Sequence, residues 1–170
     1  MPFESVKDVS FGLDIQGLDK NAMVEYQEMA QSLQAQGDAD ISKLMPVFEK
    51  MLKKDLNVNS QIKAKLNGKP NNIDLNVKLL EGLSFAQLPE FMTAPDQALK
   101  KVDAKLAASL SKEVVDGQPL ASAFIANSPL VAANSDDYAV NLELGEKIEL
   151  NGKALSFVEL QTLIFTSLPF

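Results

Sequence analysis

The chain of 170 residues is 46% hydrophobic and 23% charged, an ordinary globular balance, but it has no His, no Cys and no Trp, and all 16 of its basic residues are Lys. Those absences remove the commonest general base, thiol chemistry, the usual zinc, copper and haem ligands, and the Arg fork that grips phosphates and carboxylates. A net charge of −7 with a pI near 4.6 argues against nucleic acid and anionic membrane surfaces, so no nucleic acid, no metal and no cofactor is expected.

This length suits a single domain over residues 1–170, able to bury roughly two-thirds of its unfolded surface. No run of about 18 apolar residues is present, and the start lacks the order of a signal peptide. Met1-Pro2-Phe3 passes straight into a strand pattern, as an excised domain with an added initiator would.

Val9, Phe11, Leu13 and Ile15 alternate with Ser10, Gly12, Asp14 and Gln16, which predicts a half-buried first strand. Asp19 then offers an N-cap to an amphipathic helix through Ala22, Met23, Tyr26, Met29, Ala30 and Leu33, with Gly37 as its stop. After Asp38 and Asp40, the residues Ile41, Leu44, Met45, Phe48, Met51 and Leu52 recur at helical spacing. An N-cap at Ser42 would put Pro46 in the first turn, where no donor is lost; a kink is the alternative.

The longest period-two alternation in the chain, Asp55 to Glu81, predicts an antiparallel hairpin. An Asn67-Gly68 type I′ turn sets Ile62 opposite Ile73, Val58 opposite Val77 and Leu56 opposite Leu79. Pro70 cannot donate to a ladder, so the tip frays, lies at an edge or belongs to the loop. The apolar face, with Ile62 and Val77 turned toward the helices of 19–54, is the expected core. Asn57, Asn59, Asn67, Asn71, Asn72 and Asn76 are assigned to the polar face and read as solubilising rather than as a recognition ladder.

Ser84 and Gln87 form a capping-box pair opening a short helical piece interrupted by Pro89 and Pro95. Val102 to Leu110 alternates again, which favours a strand although Ala, Lys and Leu also suit a helix. Ser111 caps a turn through Val114-Val115, and Pro119 opens a helix expected to bury Leu120, Ala123 and Phe124. Leu130-Val131 reads as a short strand and 134–137 as a turn. Tyr138 to Leu144 then pairs through a loop at 145–147, with Leu142 opposite Leu150. Ser156 and Glu159 make a second capping box, opening a helix with Leu160, Leu163, Ile164 and Leu168 and an apolar end at Pro169-Phe170. Leu-Asn-Gly-Lys occurs at 66–69 and at 150–153, weak evidence of a repeat. Together these elements predict an α+β fold, a mostly antiparallel, curved sheet of six to eight strands with helices packed on one face.

Several of these stretches resemble the C-terminal part of the YdgA-like proteins, a family of unknown function in Gram-negative bacteria. They are the strand into Gly17-Leu18-Asp19, Leu44-Met45-Pro46 before the hairpin, Ala104 to Lys112, and above all 137–144 with Ile148 to Lys153. The resemblance covers most of the chain and rests on patterned strand sequence. It implies an excised periplasmic fragment of a longer envelope protein tethered to the inner membrane by a segment this chain lacks, and it carries over no catalytic residues.

Asp136, Asp137, Asp116 and the Asp38–Asp40 pair are the acidic clusters, far from an EF-hand spacing, and read as turns and caps. A glycosidase carboxylate pair is disfavoured by the scarcity of aromatic platforms. Met23, Met29, Met45, Phe48, Met51, Phe91 and Met92 are either the core between helix and sheet or a pliable apolar groove. The sequence therefore points to a non-enzymatic module acting by protein contact or self-association, with a lipid-carrying groove as the alternative.

Overall fold

Period-two alternation becomes strand in the computed structural model, which describes residues 6–36, 41–125 and 127–167. The strands are β1 (Val6–Gln16), β2 (Asn57–Leu66), β3 (Lys69–Leu79), β4 (Val102–Ser111), β5 (Ala132–Ala133), β6 (Asp137–Leu144), β7 (Ile148–Leu150) and β8 (Lys153–Leu155). They form one open antiparallel sheet in the order β1-β2-β3-β4-β6-β7-β8, and β5 pairs with β6. The helices are α1 (Lys20–Gln36), α2 (Met45–Met51), α3 (Leu88–Thr93), α4 (Pro95–Leu99), α5 (Lys112–Asp116), α6 (Pro119–Ile125) and α7 (Phe157–Ser167). The fold is α+β.

The hairpin adopts the predicted register. Ile62 faces Ile73 and Val58 faces Val77, and Leu79 N–H donates to the Leu56 carbonyl at 2.8 Å. Asn67 and Gly68 supply the positive φ angles, 51° and 79°, that a type I′ turn requires, and Asn151-Gly152 repeats them at 50° and 78°. Pro70 lies opposite Lys65, beyond the point where β4 stops pairing with β3 at Asn72, so its missing donor breaks no ladder there.

Caps fix the helices. Asp19 Oδ1 accepts from Asn21 and Ala22 N–H at 2.9 and 3.1 Å. Ser156 and Glu159 form the full capping box: Glu159 N–H donates to Ser156 Oγ at 3.2 Å and Ser156 N–H to Glu159 Oε2 at 2.7 Å. Pro46, Pro89 and Pro95 each sit in a first turn, opening helices rather than interrupting them. The cap of α2 is Leu44, after a 3₁₀ turn over Ile41–Leu44, and not Ser42. Gly37, Asp38, Asp40, Leu168, Pro169 and Phe170 lie outside the described residues.

Burial departs from expectation in four places. β1 is exposed along its whole length because it is an edge strand that, among the described residues, pairs with β2 alone. The middle of the hairpin is not the core: Ile62 is 44% exposed, whereas Leu56 and Leu79, at the end where β2 begins and β3 stops, are buried with Ala22 and Val47. The reason is anchoring. Asp19 binds Lys53, and Glu49 Oε1 accepts from Ser84 Oγ and Phe85 N–H at 2.9 and 2.6 Å, which holds α1 and α2 at that end.

Asn71 is not on the polar face. It shares a face with Ile73, is buried, accepts the Ser111 N–H at 3.0 Å through Oδ1, and donates to the Lys69 carbonyl at 2.9 Å. It thereby bridges the end of the β3–β4 ladder where backbone pairing stops. Finally, α6 packs on α5, and Leu120 is 90% exposed, with Ala123 and Phe124 also exposed. The short strand falls at Ala132-Ala133 instead of Leu130-Val131, because Asn151 Nδ2 takes the Leu130 carbonyl at 3.0 Å.

Candidate interaction surface

Register assigns the two faces of the sheet. Phe11, Ile62, Ile73, Ala108 and Val140 stand in one row across five strands, while Gly12, Gln61, Asp74, Ala107 and Asn141 stand in the next row on the opposite face. One face is apolar and the other polar. The polar face carries a shallow hollow of about 520 Å³ spanning β1 to β4, lined by Asp14, Asn59, Gln61, Asp74, Asn76 and Lys105 among others. Gly12 and Ala107 bring little side-chain bulk to this row, which leaves the hollow between the longer side chains around them.

Inside the hollow the polar groups bind one another. Gln61 and Asn72 both donate to Asp74, Asn72 at 3.1 Å, and these two bonds hold the Asp74 carboxyl below its ordinary value. Asn76 Nδ2 donates to Asn57 Oδ1 at 2.8 Å and also to Asn59 Oδ1, and Gln16 donates to Asp14 at 2.7 Å. A hydrolytic carboxyl pair needs one member whose pKa is raised so that it can give up a proton. Asp74 is shifted the other way, with one oxygen tied across the strands to Gln61 and the other to Asn72 on its own strand. The hollow reads as a self-satisfied polar ladder.

Asp137 and Asp116 are likewise engaged by neighbouring side chains. Asp137 accepts from Ser109 Oγ at 2.5 Å and Asn134 Nδ2 at 2.8 Å, which lowers its pKa. Asp116 accepts the Tyr138 hydroxyl at 2.9 Å, and that bond pushes the phenol up.

Five of the seven apolar candidates fall on the packed pair α1 and α2, and the other two on α3. Met23 and Met29 lie on α1, Met45, Phe48 and Met51 on α2, and Phe91 on α3, where Lys101 sits 5.7 Å above its ring. α1 and α2 pack together, with Tyr26 and Phe48 rings 5.2 Å apart. Met23 is exposed, the other five are half-buried, and the side chain of Met92 lies outside what the structure describes.

The apolar face presents the larger unassigned surface. Phe11 is 66% exposed, Leu13 55% and Ile15 42%, and beside them Ile62, Ile73 and Leu75 each keep about two-fifths of their surface in water. At roughly 150–200 Å² of full surface per large apolar residue, this fringe leaves on the order of 500 Å² of apolar area uncovered, at the upper end for a monomer's largest patch. Its outer boundary is β1, whose outer edge carries backbone donors and acceptors that no strand among the described residues pairs. The alternation at residues 9–15, which predicts a half-buried strand, is the sequence signal for this surface. No protein-family model, curated protein or solved structure matches the chain.

Proposed function

We propose that the chain is a non-enzymatic interaction module of a Gram-negative envelope protein, acting by protein contact or self-association through the apolar fringe of β1 to β3. The observation that carries the reading is the exposure of Phe11, Leu13 and Ile15 on an unpaired edge strand beside an uncovered part of the sheet. The periplasmic, membrane-tethered setting is supported by the sequence resemblance alone. A lipophilic-ligand carrier is the second reading, since the same fringe would suit acyl chains; the polar lining of the hollow favours protein contact.

A photoreactive residue in place of Phe11, in cells making the protein, tests this. Adducts with a protein, including a second copy, are expected, with far weaker labelling from the polar-face position Glu143. Adducts with lipid alone would move the assignment to a carrier, and equal labelling from both positions would refute the interaction surface.

A further inference from the structure

We infer that the occupant of the β1 edge is a second copy of the chain, whose β1 pairs antiparallel about a two-fold axis at Gly12 so that two sheets become one. This deepens the reading of the fringe as an interaction surface and rests on it.

The two edges of the sheet are built differently. β8 is three residues long and carries Lys153, both ordinary protections against strand addition. β1 has one bulge, where Asp8 and Val9 stand against Ala64, and then runs in unbroken register from Ser10 to Gln16 without Lys or Pro. The uncovered fringe of β1 to β3, on the order of 500 Å² of apolar area, is comparable with the apolar share of the roughly 800 Å² that each partner buries in a standard interface.

Charge permits the contact. β1 and β2 together hold Lys7, Lys63 and Lys65 against Asp8 and Asp14, so this margin is slightly positive on a chain of net charge −7. Two copies meeting here avoid the repulsion that their other surfaces would generate.

A two-fold axis perpendicular to the sheet keeps apolar face with apolar face, which requires partners of the same side in the alternation. With Gly12 on the axis, Phe11 faces Leu13 of the other copy and Val9 faces Ile15. On the polar side Ser10 faces Asp14, a hydroxyl donor opposite a carboxylate acceptor. No like charges are opposed. A Cβ built on Gly12 meets only Gln61 Cβ, at 3.9 Å, so the position accepts a side chain without disturbing the single chain.

Because the natural chain has no Cys, one introduced thiol reports the geometry cleanly. In Gly12→Cys the two Cα atoms would lie about 4.5–5.5 Å apart across the axis, within disulfide range. In Ser10→Cys the thiols would be offset by about 13 Å along the strands. The protein is expected to sediment as a dimer, and Gly12→Cys to crosslink at least about tenfold faster than Ser10→Cys under mild oxidation. Gly12→Lys, which opposes two ammonium groups, is expected to weaken the dimer by roughly two- to fivefold with an unchanged melt. A monomer at high concentration, or a dimer in which position 12 crosslinks no faster than position 10, overturns the inference. If Phe11 labelling still identifies a different protein, the interaction reading survives it; if that labelling also fails, both fall.

Discussion

Replacing Asn71 with Ala tests how the sheet is closed at the β4 end. Asn71 Oδ1 is the acceptor for the N–H of Ser111, and both residues are buried. Removing it strands that donor, which costs about 1–3 kcal/mol, and the lost bond from Nδ2 to the Lys69 carbonyl adds about 0.5–1.5 kcal/mol, the low end applying because Lys69 is exposed to water. The total of about 1.5–3.5 kcal/mol corresponds to a fall in Tm of roughly 3 to 14 °C for a domain of this size. Thermal melts followed by circular dichroism measure it. The control is the adjacent Asn72→Ala, which alters the opposite face, where one bond to Asp74 is lost at a solvated site; its Tm should move by no more than about 2 °C.

Asn71→Asp sharpens the test. It keeps the acceptor for Ser111 but turns an oxygen toward the Lys69 carbonyl, so its carboxyl pKa is raised in the folded state. The resulting deficit is present at neutral pH and shrinks as pH falls through that raised value, because the protonated acid can donate again. Equal melts for Asn71→Ala and Asn72→Ala would refute both the facing and the bridging role.

Two further outcomes follow from burial and charge. Leu79→Ala should cost about 2–4 kcal/mol, and Ile62→Asp, at a site 44% exposed, distinctly less, as read by denaturant midpoints; the reverse order would return the core to the middle of the hairpin. Asp19, Asp74, Asp137 and Glu159 all have pKa values lowered by hydrogen bonds, Asp19 chiefly by Lys53 and Glu159 chiefly by the Ser156 backbone. Their stabilisation is present above the ordinary values of 4.5 for Glu and 3.8 for Asp and is lost as pH falls through the lower folded values. Tm should therefore decline on acidification below these values, and a Tm unchanged down to about pH 3 would refute the assignment.

Local chemistry in this chain was legible because it depends on neighbours in sequence. Asn67-Gly68 could only turn one way, and it carried the register of Ile62 and Ile73 with it. Ser156 and Glu159, three apart, found each other, and Asp19 capped its helix. Burial was not legible in the same way. Alternation at Phe11, Leu13 and Ile15 says that three side chains share a face, and nothing in that spacing says whether another element lies over it. The same holds for Leu120, whose helix turned out to rest on its neighbour.

Asn71 shows a different gap. Its period-two position places it on the apolar side, yet its amide reads as polar, and only the end of the β4 ladder explains why an amide belongs there. For the candidate groove, residue types carry no location: five of the seven fall on the packed pair α1 and α2 and two on α3.

The strand order has a consequence for cooperativity. Because successive strands lie side by side almost throughout, the sheet resembles a one-dimensional array in which each member is held by its immediate neighbours. β2 and β3 are joined by a two-residue turn, whereas β1 must close a connection of about 40 residues before it gains its single ladder, so it adds after the hairpin. Its release exposes β2 but leaves the buried set around Leu56 and Leu79 in place. The strand that offers the contact thus stands outside the unit that must stay folded, and its partner can be gained or lost without unfolding the rest.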